Sequence, residues 1–214
     1  MRKYFAEFTG TFALVFCGTG AIIINQETSG VITHVGVAAT FGLIVLAMIY
    51  TYGSVSGAHF NPAVTIAFSV VNLFPKKEIL PYIITQLSGA FLASILLKFL
   101  FPSNVMLGAT QPAGSDLQSF VLEIILTFLL MTVILHVSQG SKKVGIMAGI
   151  AIGATVLLEA MFAGPISGAS MNPARSIGPA VISQSLGSLW LYIAAPIIGA
   201  VGAAYAWKLS GKLK

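Results

Sequence analysis

The segment Ser56-Gly57-Ala58-His59-Phe60-Asn61-Pro62-Ala63-Val64 returns 111 residues later as Ser167-Gly168-Ala169-Ser170-Met171-Asn172-Pro173-Ala174-Arg175. A chain that carries SGA-x-x-NPA once in each half reads as a duplication, so its fold must give both copies equivalent surroundings. Each copy is also a helix start. Asparagine is a strong N-cap residue, and proline is favoured at the first helical position, where its missing N–H is no loss.

Those surroundings are lipid. Of 214 residues, 57% are hydrophobic and only 8% charged, against roughly 25% charged in an ordinary soluble domain. The formal net charge is +5, but the basic residues are too few and too scattered to track a phosphate backbone, so no nucleic-acid partner is expected. The lone Cys17 excludes an internal disulfide framework and reads as a small core residue of the first helix. Arg2-Lys3 gives the basic start of a signal peptide, yet no small-x-small cleavage site follows. The segment therefore reads as a retained first span. Metal-ligand clusters, nucleophile–base–acid sets and phosphate-cradling glycine loops are missing from the sequence. No catalytic residue, metal or cofactor is expected, and the chain does not read as an enzyme.

A membrane helix needs about 20 mainly apolar residues. Six stretches qualify: residues 4–24, 33–52, 79–99, 120–137, 144–162 and 189–209. In a six-span arrangement Arg2, Lys3, Lys76, Lys77, Lys142, Lys143, Lys208, Lys212 and Lys214 share one face, with Lys98 on the other. The positive-inside rule makes that basic face cytoplasmic, with both termini on it. The two motifs fall in connections, the first between spans two and three, the second between spans five and six. Each is followed by a short apolar run, residues 63–71 and 174–182. Ten helical residues rise about 15 Å, half of a hydrocarbon core of about 30 Å. Each run is thus expected as a half-helix dipping in from its own side. Three spans per half is an odd number, so the halves, approximately 1–100 and 118–210 of a single domain, are expected as inverted repeats. Broken helices meeting at mid-membrane build a polar site in lipid, and irregular backbone at that depth must be buried or line a wet cavity. Other repeat traces are Phe41-Gly42-Leu43 with Ile152-Gly153-Ala154, and Gln86-Leu87-Ser88-Gly89-Ala90 with Pro196-Ile197-Ile198-Gly199-Ala200. Gly145, Gly149 and Gly153 form a small-xxx-small ridge expected to serve close helix packing.

Two SGA-x-x-NPA motifs, a half-helix carrying NPARS, and the paired Glu7 and Glu123 make the whole chain resemble the aquaporin (major intrinsic protein) family. The stretch from Gly164 to Ser176 looks most like the plant nodulin-like intrinsic proteins and their bacterial relatives. The resemblance implies an all-α membrane protein: six transmembrane helices plus two re-entrant half-helices, an inverted three-plus-three repeat around a central pore. It also implies a homotetramer with one pore per subunit in the plasma (cell inner) membrane.

Two half-helices aiming their N-termini at mid-pore place partial positive charge there and disfavour cations. The amides of Asn61 and Asn172 can donate to a passing molecule while each carbonyl oxygen caps its own helix; Pro62, Ala63, Pro173 and Ala174 complete the motifs. Arg175 lies one turn outward from Asn172 on nearly the same face, and an intramembrane arginine is by default functional. Val64 takes the matching place in the first half. By resemblance, the selectivity ring reads Phe41, Ala160, Ala169 and Arg175. Water-selective members place histidine where this chain has Ala160. Glycerol facilitators typically carry an acidic residue where it has Ser176, and the nodulin-like subgroup often has tryptophan where it has Phe41. Two alanines beside one phenylalanine leave a wide, apolar opening. Gly57, Ala58, His59, Gly168, Ala169 and Ser170 are expected to expose a ladder of backbone carbonyls, glycine suiting the unwound segment, with His59 at the cytoplasmic mouth. His34 and His136 lie near span ends and are expected at the interface.

Glu7 and Glu123 are expected as braces, each accepting backbone N–H groups from the irregular loop of its own half. Snorkelling to the nearby surface is the other reading of Glu7. Glu159 is taken as a third brace, on the outer loop; it could instead lower the potential near Arg175 or face a neighbouring subunit. The function expected is a passive channel for water and small uncharged solutes, such as glycerol and neutral metalloid hydroxy-acids, that excludes protons and ions. The alternatives are a strictly water-selective channel, an ion-coupled secondary transporter with Glu159 as its one titratable candidate, and a structural membrane protein without flux.

Overall fold

The computed structural model describes residues 1–211; Lys212 and Lys214 of the basic flank, and the side chain of Lys143, lie outside the described residues. The chain runs α1 (Arg2–Glu27), α2 (Thr33–Ser56), α3 (Pro62–Val70), a 3-10 turn (Lys76–Glu78), α4 (Ile79–Leu100), α5 (Asp116–Ser138), α6 (Lys142–Ile146), α7 (Ala148–Ser167), α8 (Pro173–Ser183) and α9 (Leu189–Leu209). Helices α1, α2, α4, α5, α7 and α9 are long and apolar enough to cross a membrane. No strand occurs among the described residues. Polarity is distributed as lipid demands. Leu43, Phe99, Leu158 and Phe162 are more than half exposed, whereas Glu7, Gln86, Glu123 and Arg175 are buried.

With apolar side chains already at home in lipid, helix association relies on close approach. The principal pairings are α1 with α4, α5 with α9 and α2 with α7. At the last of these, a Cβ on Gly42 would lie 2.5 Å from the Gly153 carbonyl oxygen, and one on Gly153 2.6 Å from that of Gly42. Gly89 of α4 abuts the Phe8 carbonyl of α1, as Gly199 of α9 abuts the Ile124 carbonyl of α5. Each half-helix packs on a long helix of the other half, α3 on α9 and α8 on α4, which ties the halves together.

The fifth span departs from its expected limits of 144–162. The helix breaks at Met147, whose N–H bonds Val144 O at 3.0 Å in a tightened turn. Gly145 therefore belongs to α6 and is not part of the ridge, which is reduced to Gly149 against the Tyr50 ring and Gly153 against Gly42. At the other end α7 continues through Pro165 to Ser167. A proline inside a helix strips the carbonyl four residues earlier of its donor. Here that is Met161 O, and His34 Nε2 of α2 supplies the missing donor at 2.6 Å. His34 is exposed, as an interfacial residue would be, and also ties α2 to α7.

Candidate pore and its filter

Both motifs begin where a long helix ends. After Ser56 the backbone turns left-handed at Gly57, Ala58 and Phe60, with φ of 87°, 51° and 48°. After Ser167 it repeats the pattern at Gly168, Ala169 and Met171, with φ of 81°, 42° and 53°. Left-handed backbone costs roughly 1–2 kcal/mol at each non-glycine residue, and the peptide groups have lost their helical partners. Buried carboxylates offset that loss. Glu7 accepts from the Ser56 hydroxyl (2.7 Å), His59 N (3.0 Å), Phe60 N (2.8 Å) and Gln86 Nε2 (2.8 Å). Glu123 accepts from the Ser167 hydroxyl (2.7 Å), Ser170 N (2.8 Å) and Met171 N (2.8 Å). Glu7 does not snorkel; it is fully buried.

A matching pair of tyrosines, to which the sequence pattern alone assigns no role on the motif backbone, completes each segment. Tyr82 donates its hydroxyl to Ser56 O (2.9 Å) and Tyr192 to Ser167 O (2.6 Å), each satisfying the last helical carbonyl, at the first residue of a motif. The Tyr-Ile pairs at 82–83 and 192–193, at nearly the repeat offset, were the available signal.

The asparagines do two things at once. Asn61 Oδ1 accepts from Ala63 N at 2.9 Å, and Asn172 Oδ1 from Ala174 N at 3.0 Å and Arg175 N at 3.4 Å. Asn61 Nδ2 donates to Met171 O, and Asn172 Nδ2 to Phe60 O, both at 2.8 Å. Each amide thus caps its own helix and clasps the backbone just ahead of the other motif. Because a primary amide has two N–H groups, one remains on each asparagine. Both residues line a cavity of about 620 Å³ that starts beside Tyr50, Ser138 and Gly145 and reaches Arg175. Gly57, Ala58, His59, Ala169 and Ser170 also line it, between apolar walls that include Leu14, Val45, Val64, Leu130 and Val156.

Phe41, Ala160, Ala169 and Arg175 come together on this cavity. The Arg175 guanidinium lies 4.9 Å from the centre of the Phe41 ring, a cation–π distance. Its Nη1 donates to Gly108 O at 2.8 Å, while Nε has no partner among the described residues. Gly108 belongs to the connection between α4 and α5, to which the sequence reading gave no role.

Two expected site residues are placed differently. Gly168 does not line the cavity; it is covered by Thr110, which a Cβ there would meet at 3.0 Å. Glu159 is not a brace. It is 4% exposed, and neither carboxylate oxygen has a hydrogen-bond partner among the described residues. The loop donors it was to receive, Ser170 N and Met171 N, are already held by Glu123. Burial within its own chain also removes the reading in which it faces a neighbouring subunit. His59 lines the cavity with its ring fixed, Nδ1 lying 3.0 Å from Thr65 Oγ1 among Phe68, Phe74 and Tyr82. His136 is exposed, its Nδ1 on Thr132 O at 2.7 Å.

Comparison with known proteins gives this geometry a family. Residues 1–207 match the family described as Major intrinsic protein. The chain is 49% identical over 210 residues to Aquaporin NIP1-1 of Oryza sativa subsp. japonica, covering 98% of this chain and 74% of that protein. It is 43% identical over 210 residues to Nodulin-26 of Glycine max, covering 98% and 78%. The X-ray structure of the aquaglyceroporin from Plasmodium falciparum superimposes with a TM-score of 0.86 at 27% identity, covering 96% of this chain and 94% of that one. Six membrane-crossing helices, two half-helices meeting through their asparagines and a lined cavity between them agree with these matches: the chain belongs to the major intrinsic protein (aquaporin) family, whose members are channels rather than enzymes, and is an integral multi-pass membrane protein forming a passive channel for water and small solutes.

Proposed function

We propose that this channel passes small uncharged polyols and neutral hydroxy-acids as well as water, and turns away protons and ions. The observation that carries the reading is the ring. Ala160 and Ala169 put two small side chains on the same cavity as Phe41 and Arg175, so on this reading selection acts on charge and hydrogen bonding more than on width. Exclusion of cations rests on positive charge from three groups. The N-termini of α3 and α8 each present about half a positive charge, and Arg175 adds a whole one. A water that accepts the spare N–H groups of Asn61 and Asn172 cannot also pass a proton in one direction. On this reading Glu7 and Glu123 hold the loops, the carbonyls of Gly57, Ala58, His59 and Ser170 receive the solute, and the halves 1–100 and 118–210 are inverted repeats. The family resemblance supports a homotetramer with one pore per subunit. The basic flank, Arg2, Lys3, Lys76, Lys77, Lys142 and Lys208 among it, supports cytoplasmic termini in a plasma membrane.

Stopped-flow reswelling of proteoliposomes, with water, glycerol, urea and arsenous acid in turn, tests the reading. Glycerol and arsenous acid are expected to enter with a low activation energy and no dependence on a pH gradient. Fast water flux with both solutes excluded would identify a strictly water-selective pore. Flux driven by a proton gradient would identify a coupled transporter.

A further inference from the structure

The connection between α4 and α5 dips into the protein rather than lying over it. Leu107 is fully buried, and Thr110 and Asn104 are 5% and 8% exposed. Three anchors hold it. Asn104 donates to Gln26 Oε1 (3.1 Å) and accepts from Leu107 N (2.8 Å). Ala113 N bonds Ile166 O at 2.9 Å. Thr110 Oγ1 donates to the Ser176 hydroxyl at 2.8 Å.

The third anchor lands on the residue that follows Arg175, and it continues inward. The Ser176 and Ser170 hydroxyl oxygens are 2.5 Å apart, and Ser170 Oγ donates to Asn172 O at 3.0 Å. A hydroxyl has one proton to give. Because Ser170 gives its proton to Asn172 O, Ser176 must give to Ser170, and Thr110 to Ser176. The chain of buried hydroxyls therefore has one direction, from the connection to the second motif. Two residues before Thr110, Gly108 presents the carbonyl that takes Arg175 Nη1, the hydrogen bond that the guanidinium makes among the described residues. Gly108 is pinned from behind, since a Cβ on it would lie 2.8 Å from Thr19 Cβ.

We infer that Thr110 is a positioning residue for the filter: through Ser176 it fixes the depth of the Gly108 carbonyl, and so the reach of Arg175 toward Phe41, Ala160 and Ala169. The inference deepens the ring reading and rests on it. Thr110→Val keeps the side chain's shape and removes the donor. The measured quantity is the glycerol-to-water permeability ratio in proteoliposomes, which a loss of folded protein alone does not move. Arg175→Ala is expected to shift that ratio. Thr110→Val is expected to shift it the same way by less, about twofold or more, the scale of one hydrogen bond. Thr110→Ser restores the wild-type ratio. The double variant Thr110→Val/Ser176→Ala shifts it no further than Thr110→Val does, since both break one chain. If Arg175→Ala leaves the ratio unchanged, the ring reading itself is lost. If Arg175→Ala shifts it while Thr110→Val and Ser176→Ala do not, or if Thr110→Ser is as impaired as Thr110→Val, the positioning role alone is overturned. Should Thr110→Val not fold, Ser176→Ala, which breaks the same chain from the other side, decides the matter.

Discussion

The two motif segments share a scaffold and differ at its third corner. In each, the side chain two before the asparagine meets the side chain four after it: His59 with Thr65 in the first, Ser170 with Ser176 in the second. A third residue then closes the group. In the first segment it is Gln86, which projects from α4 and donates to both Thr65 and Glu7. In the second it is Thr110, which arrives on a connection. A helix brings only side chains, because its carbonyls are spent on its own hydrogen bonds. A connection brings free backbone as well, and Gly108 O is such a group. The second half can therefore seat an arginine at the position where the first half holds Val64, which is 3% exposed. On this view the placement of selectivity in one half follows from where spare carbonyls are.

Val64→Arg would break the comparison most severely. If the shared scaffold alone could host an arginine, the variant would fold and conduct. If a loop carbonyl is required, the guanidinium enters apolar walls without a partner, at a cost of about 3 kcal/mol at mid-membrane. The expected outcome is a strong fall in thermal stability in detergent and at least a tenfold loss of water flux per folded protein.

The carboxylates come next. An amide offers one accepting oxygen where a carboxylate offers two, so Glu7→Gln and Glu123→Gln each turn N–H groups onto a backbone donor, at about 1–3 kcal/mol per unsatisfied group. The first half has a remedy. Gln86 Oε1 is buried without a partner among the described residues, and rotating that amide presents it to the new NH2. The second half has none, and there the loop that Glu123 holds at Ser170 and Met171 runs directly into Arg175. Glu123→Gln is therefore expected to lower the unfolding temperature more than Glu7→Gln, and it alone to alter the glycerol-to-water ratio. Equal effects would mean that the halves are equivalent in load as well as in shape.

What the sequence made legible follows the same line. Six spans and two half-helices were readable because hydropathy and a repeat offset are written in order along the chain, and the partnership of Glu7 and Glu123 with their own loops because each is an acid inside the first apolar span of its half. Tyr82 and Tyr192 were readable by the same offset and were passed over. The connection carrying Gly108 and Thr110 has neither periodicity nor a counterpart in the other half, and nothing local ties it to Arg175. The tie between His34 and Pro165 is equally silent, since a proline announces an orphaned carbonyl but not who answers it. Glu159 misled for the opposite reason. A glutamate beside a ring residue suggested a third brace, and only the geometry shows that the loop has no donor left to offer.

Glu159 gives the smallest expected effect and separates two meanings of a buried carboxylate. It stands in the second half alone; the first half has Met48 at the corresponding repeat position. Glu123 receives three donors, whereas Glu159 receives none among the described residues. Removing a carboxylate that holds a loop leaves donors stranded. Replacing one that holds nothing by an apolar side chain of similar size takes away a buried polar group that no donor compensates. Glu159→Met, which introduces the residue found at the matching position of the first half, is therefore expected to leave water and glycerol flux within error and to raise stability by about 1 kcal/mol, read as the unfolding temperature in detergent. A variant that unfolds early would restore Glu159 to the loop as a brace. One that folds but no longer moves solute would make it the working group of a coupled transporter, the one role in which an unpartnered acid at this depth is an asset.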